Sequence, residues 1–132
     1  MSEYAAALLF GGVIYLSIEI IFRGWTHWSM FFCGGVSFLL LYIIANFSRD
    51  ALWKKWLMGA SVITAAEYVF GLLLNVRLGW RVWDYSHQWG NLYGQICPLF
   101  SLCWLFLCIP GIKLCTVIRQ KIFGLSTGGK YE

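Results

Sequence analysis

Four long apolar runs constrain this chain more than any other feature. They are about residues 4–22, "YAAALLFGGVIYLSIEIIF", 28–47, "WSMFFCGGVSFLLLYIIANF", 56–76, "WLMGASVITAAEYVFGLLLNV", and 91–112, "NLYGQICPLFSLCWLFLCIPGI". Each is close to the roughly 20 residues a helix needs to cross a bilayer. A chain of 132 residues cannot hide that much apolar surface inside a water-soluble fold. Only 12% of its residues are charged, where a soluble domain carries about 25%. The expectation is an all-α, polytopic membrane protein with four transmembrane helices. The first run lacks a basic flank and a small-residue cleavage site, so it reads as a span rather than a signal peptide.

Lys and Arg set the orientation. With four spans, both termini and the 47–55 loop share one side, which holds Arg49, Lys54, Lys55, Lys113, Arg119, Lys121 and Lys130. The other side holds Arg23, Arg77 and Arg81. The positive-inside rule then puts both termini in the cytoplasm, as expected of a multi-pass protein of a bacterial plasma membrane. The net charge of +4 is anchoring charge and points to no nucleic acid. The tail from 113 places Leu114, Val117, Ile118 and Phe123 on one helical face, the pattern of a short interfacial helix. The end, "GLSTGGKYE", reads as loose.

Gly11, Glu19 and Phe22 recur as Gly59, Glu67 and Phe70 at one constant offset. Cys33/Cys97 and Ser37/Ser101 match runs 2 and 4 less well. Matches this sparse fit either a parallel repeat of two helical hairpins or chance.

Two carboxylates lie inside predicted spans, where a charge costs about 2.5–3.5 kcal/mol on insertion scales. Glu19 stands four residues before Arg23, on the same helix face; a pair that merely orients the span is one reading. Glu67 is near mid-span, where a protonated acid bonded to a neighbouring helix is the plain alternative. The functional reading places both acids in a polar cavity opening outward, with the Asn75 amide on roughly the same face. Gly11, Gly12, Gly34 and Gly35 allow close helix approach. Pro98, inside the fourth run, is expected to kink it or to free a carbonyl one turn earlier, near Gly94, beside Gln95. The five cysteines show no metal spacing and read as packing residues.

The connection between runs 3 and 4 holds "WRVWDYSHQWGNLYGQ", residues 80–95. Trp80, Trp89 and Tyr93 suit an aromatic belt at the membrane surface. Asp84 followed by Tyr85 and Ser86 suits an Asx turn, and Asp84 has Arg81, Arg77 and Arg23 as candidate partners. A re-entrant or lid-like loop over the cavity is expected, with Trp83, Asp84, Tyr85 and Ser86 leading and Asn91 and Gln95 behind. His27, Trp28, Trp83 and Pro98 are the interfacial or gating candidates.

"YLSIEIIFRGWTHWSMFFCGG", "AAEYVFGLLLN" and "WDYSHQWGNLYGQICPLFSLCW" together resemble a family of small four-span membrane proteins named putative ABC transporter permease, or putative ABC-transporter type IV. The resemblance covers nearly all of residues 4–110. Its motifs are Glu19-x-x-x-Arg23-Gly24, His27-Trp28, Glu67-x-x-x-Gly71 and Trp83-Asp84-Tyr85-Ser86, in that order. Where family members often carry proline and phenylalanine before the Asn, this chain reads "HQWGN". The resemblance implies a polytopic membrane protein and suggests transport. It supports no ATPase, since no GxxxxGK[ST] phosphate loop is present; an ABC permease would need a separate ATP-binding subunit.

Three functions compete on this reading. One is a small transporter or channel, a homo-oligomer with a dimer favoured, in which Glu19 and Glu67 bind a cation or proton and the 80–95 loop gates the mouth. The second is a non-transporting module that binds a lipid or partner protein through the aromatic loop. The third, an intramembrane enzyme using His27, His87, Asp84, Glu19 or Ser86, is the least favoured, because these residues have neither metal spacing nor a nucleophile context. No cofactor is expected.

Overall fold

The computed structural model describes residues 2–125. Among the described residues there are four helices: α1, Glu3–Arg23; α2, Ser29–Phe47; α3, Leu52–Gly71, widening into π-type turns over Leu72–Arg77; and α4, Pro98–Val117, continuing in the same way over Ile118–Ile122. All four are long and apolar enough to cross a membrane. Among the described residues there is no strand, only an isolated bridge between Leu92 and Ile96.

Local chemistry fixes both ends of α1 and the start of α2. Ser2 Oγ accepts from the Ala5 N–H at 3.1 Å and caps α1. Gly24, in the left-handed region, ends α1 by returning its N–H to Ile20 O. His27 Nδ1 accepts from the Ser29 N–H at 3.2 Å at the start of α2.

The fourth span differs from expectation. It begins at Pro98, not Asn91, and Pro98 occupies the first turn, where the missing N–H is harmless. No kink arises there, and the Gly94 carbonyl is not freed: it accepts from the Tyr85 N–H at 2.7 Å. The interior proline is Pro110. The expected separate interfacial helix is likewise not seen. Residues 114–122 extend α4, because Cys115 and Ile118 are buried in the same core as Tyr42 and Ala45. Asn46 Nδ2 ties the Cys115 carbonyl to α2 at 3.3 Å. Most of the C-terminal stretch read as loose lies outside the described residues.

α2 is the most enclosed helix and packs against the other three. Glycines set the α1–α2 distance: a Cβ at Gly11 would lie 2.2 Å from Phe38 Cβ, and one at Gly34 2.2 Å from Tyr15 Cβ. Gly59, the repeat counterpart of Gly11, meets Leu41 and Cys108 in the same intimate way. With little hydrophobic drive inside a bilayer, such backbone approach is what packs helices. Hydroxyls add to it, as in Thr64 Oγ1 donating to Ser101 Oγ at 3.1 Å between α3 and α4.

The two ends of the bundle differ. At the basic end, Glu3 pairs with Arg119, Tyr42 OH donates to Glu3 Oε2 at 3.1 Å, and buried Lys55 donates Nζ to Ala45 O at 2.9 Å. The first ties the start of α1 to the end of α4, the second ties it to α2, the third ties α3 to α2, and together they close that end. At the aromatic end, α1 and α4 stand apart and residues 78–97 fold between them.

Candidate functional site

The separation of α1 from α4 leaves a cavity of about 640 Å³. Tyr15, Ile18 and Glu19 of α1 form one wall, and Phe100, Cys103 and Trp104 of α4 the other. Trp83 and Tyr85 of the connecting segment close the top. The rings of Tyr15 and Trp104 meet at 5.6 Å and make the floor. A smaller space of about 80 Å³ lies beyond them and shares Tyr15, Ile18 and Trp104 as walls. Phe22, Phe106 and Leu107 form an exposed apolar rim at its opening.

The two acids stand differently toward it. Glu19 lines the cavity, with Oε2 2.5 Å from Arg23 Nε. Arg23 also donates Nη1 to Val82 O at 2.8 Å and lays its guanidinium 4.2 Å from the Trp25 ring centre. Its Nη2 is buried without a hydrogen-bond partner among the described residues. Arg23 therefore fastens the connecting segment to α1.

Glu67 lies behind the Trp104 wall, 3% exposed. Trp104 Nε1 donates to its Oε2 at 2.6 Å. Its Oε1 has no hydrogen-bond partner among the described residues. The Tyr85 hydroxyl stands close enough for burial, and then the Glu67 charge, to hold its pKa well above the usual phenol value. No hydrogen bond of ordinary geometry joins the two groups. Tyr85 stacks on Phe100 at 4.6 Å and 9°.

The connecting segment is tied down by amides that sequence reasoning assigned to the site. Asn75 Oδ1 accepts from the Val82 N–H at 2.6 Å and the Trp83 N–H at 3.4 Å, while Nδ2 donates to Gln95 Oε1 at 2.8 Å. Gln95 Nε2 donates to Tyr93 O, and its carbonyl accepts from Trp83 Nε1 at 2.9 Å. Asn91 bonds Ser86 O, Gln88 O and the Gly94 N–H. Asn75, Asn91 and Gln95 thus have their polar atoms engaged within the protein.

Asp84 is exposed and lies outside the cavity wall. It forms the anticipated Asx turn, Oδ1 accepting from the Ser86 N–H at 2.9 Å. That bond is the main reason its carboxyl is held below the usual range. It makes no ion pair with Arg81, Arg77 or Arg23; the ion pairs among the described residues are Glu19–Arg23 and Glu3–Arg119. His27 and Trp28 gather with Trp80 in ring contacts of 5.4–5.6 Å on the outside of the bundle. The candidates brought together at the cavity are Glu19, Arg23, Trp83 and Tyr85, with Glu67 just behind; Asp84, Ser86, His27, Trp28 and Pro98 are not among its lining.

Sequence reasoning missed Tyr15, Phe100, Cys103 and Trp104. A signal for one existed: an indole N–H in mid-span needs an acceptor, and the acids of the neighbouring runs supply one. Among the described residues no cluster of His, Cys, Asp and Glu is arranged to hold a metal ion.

Four membrane-length helices around a lateral cavity define a multi-pass, transporter-like membrane protein. The chain belongs to the family described as Putative ABC-transporter type IV, whose pattern matches residues 13–128. No solved structure matches it.

Proposed function

We propose that the protein is a small membrane transporter whose substrate occupies the α1–α4 cavity and reaches it from the bilayer. The cavity itself carries this reading. Its volume of about 640 Å³ falls within the roughly 300–1,000 Å³ of small-molecule sites. Its walls are mostly apolar with one ion pair, which suits an amphipathic molecule better than a hydrated metal ion. Tyr85 and Trp83, held by the amide-bonded segment, act as the gate at the aromatic end. That end faces outward, and both termini lie in the cytoplasm of a bacterial cell. Because one chain is sealed at its basic end, a complete path is assigned to a homo-oligomer, with a dimer favoured. An ATP-binding subunit, if one drives the cycle, is a separate chain. No catalytic role is assigned to His27, His87, Ser86 or the acids.

The same seal favours a second reading, a module that binds an amphiphile without moving it. Proteoliposomes separate the two. They are tested for uptake of labelled amphiphiles of positive, negative and zero charge, before and after Cys103 is blocked with a bulky maleimide. Cys103 is the exposed cysteine and lines the cavity. Uptake above protein-free liposomes that the maleimide stops is expected. No uptake of any member refutes transport, and uptake indifferent to the block refutes the cavity as its route.

A further inference from the structure

We infer that the α1–α4 cavity takes a hydrophobic organic cation, with Glu67 as its buried counter-charge. This rests on the reading of the cavity as the substrate site and names the substrate class.

The charges decide the sign. Glu19 and Arg23 neutralise each other at 2.5 Å. Glu67 has no basic partner: neither ion pair among the described residues includes it. Trp104 satisfies Oε2, and Oε1, with the neutral Tyr85 hydroxyl nearby, has no hydrogen-bond partner among the described residues in a side chain only 3% exposed. A buried carboxylate without a counter-charge is strongly disfavoured, so a cation in the adjoining cavity supplies what the protein lacks.

The walls agree with that sign. Tyr15, Trp83, Tyr85, Phe100 and Trp104 surround the space, and aromatic faces attract cations, most strongly when water is absent. An anion would meet those faces with the Glu67 carboxyl close behind Trp104, and Arg23 is already engaged by Glu19, Val82 O and the Trp25 ring. A neutral molecule would leave Glu67 uncompensated. The apolar rim selects a cation whose charge sits on an apolar body, such as a quaternary ammonium or phosphonium.

Binding and ionisation of Glu67 are then linked. The ionisable groups around Glu67 are Tyr15 and Glu19 on α1, Cys33 on α2 and Tyr85 in the connecting segment, with the Trp104 indole from α4. None of them is basic. The cation favours the carboxylate, so its apparent affinity rises with pH until Glu67 is fully ionised. Below that point, binding releases the Glu67 proton to solvent.

The test uses two isosteric ions, tetraphenylphosphonium and tetraphenylborate, on the full chain in an uncharged detergent. The readout is the rate at which Cys103 reacts with a maleimide. Tetraphenylphosphonium is expected to slow the reaction, more effectively at higher pH, and tetraphenylborate to leave it unchanged. Glu67→Gln should weaken tetraphenylphosphonium by about 30-fold, the lower end for removing one partner of a desolvated charge pair. Glu67→Asp should retain part of the affinity. Equal protection by both ions, stronger protection by the borate, or an unchanged affinity in a folded Glu67→Gln protein overturns the assignment. So does a Cys103 that is unreactive before any ion is added, since a second copy would then fill the cavity. If neither ion protects Cys103 while other amphiphiles enter proteoliposomes, the cation assignment fails and the transport reading stands.

Discussion

Replacing Asn75 with alanine tests whether one amide holds the aromatic segment over the cavity. The side chain accepts from the Val82 N–H and donates to Gln95 Oε1. Both partners are buried, Val82 1% and Gln95 5% exposed, so alanine leaves one donor and one acceptor without partners. Each such orphan costs about 1–3 kcal/mol; because the Gln95 amide keeps its bond to Tyr93 O, the lower part of the sum, about 3 kcal/mol, is expected. The bond to Trp83, at 3.4 Å, is too long to add much. About 3 kcal/mol raises the open population of the segment by roughly 100-fold. Cys97 reports that opening, since it is buried at the end of the segment, and labelling through a rare open state follows its population. In a Cys103→Ser background, Asn75→Ala should therefore speed maleimide labelling of Cys97 by about two decades. Cys108 and Cys115, buried at the other end of the bundle, should label as before. Asn75→Asp keeps the acceptor and loses the donor, and should fall between. Cys97 labelling at the parent rate in Asn75→Ala would show that the segment is held by burial of Val82 and Trp83 alone, and the hydrogen-bond argument would be wrong.

Two further outcomes follow from local geometry. Gly34→Ala places a Cβ 2.2 Å from Tyr15 Cβ and must push α1 off α2; a loss of about 1–3 kcal/mol or more is expected. Gly24→Ala meets nothing within 4 Å and pays only for its positive φ, about 1–2 kcal/mol. Resistance to unfolding in dodecyl sulfate ranks the two, and a Gly34→Ala protein as stable as wild type would contradict the packing. Asp84 gives a pH dependence. Its carboxyl is held low chiefly by the Ser86 N–H, so its contribution is present above the ordinary carboxyl pKa of about 4 and is lost as pH falls below that through its folded value. Cys97 labelling, taken relative to a free thiol at the same pH because only the thiolate reacts, should accelerate over that acid range in the parent and lose that component in Asp84→Asn; identical normalised profiles would refute a role for the turn.

The helices that are legible in the sequence are those whose apolar length is itself the signal. α1 and α2 lie within a residue or two of the apolar runs that announce them, and the Glu19–Arg23 pair follows from helical spacing alone. The fourth run misleads because Leu92, Tyr93, Ile96 and Cys97 extend its hydropathy backwards into a segment that is not helical. Gly90, Tyr93 and Gly94 adopt positive φ there, and Pro98 suits a helix start as well as a kink. Cys97 is buried beneath that segment, which explains the apolar residues without a helix. The amides failed differently. Asn75, Asn91 and Gln95 looked like ligand groups because their partners, mostly backbone groups, lie in a loop whose path no periodicity predicts. The aromatic walls of the cavity were not legible for a third reason: an aromatic residue that lines a space and one that packs a helix have the same sequence signature. The Glu3, Tyr42 and Arg119 cluster joins residues from opposite ends of the chain, and only the closed bundle brings them together.

Glu19 and Glu67 occupy matching positions in the two hairpins, yet the fold compensates them in opposite ways. Glu19 has a cation one turn along its own helix, so its charge is cancelled locally and costs little wherever α1 moves. At the position matching Arg23, α3 carries Gly71, against which Gln95 and Trp83 pack. A basic side chain there would displace the residues that close the cavity. Glu67 must therefore take its partner from another helix, and that partner, the Trp104 indole, is a donor with no charge. The same glycine that admits the aromatic segment thus leaves a carboxyl uncompensated directly behind the cavity. If the two hairpins share an origin, the second has exchanged an internal ion pair for a covered cavity with an unmatched acid behind its Trp104 wall. On physical grounds that exchange is tolerable only where something of opposite charge can enter the space, or where the acid holds its own proton while the space is empty.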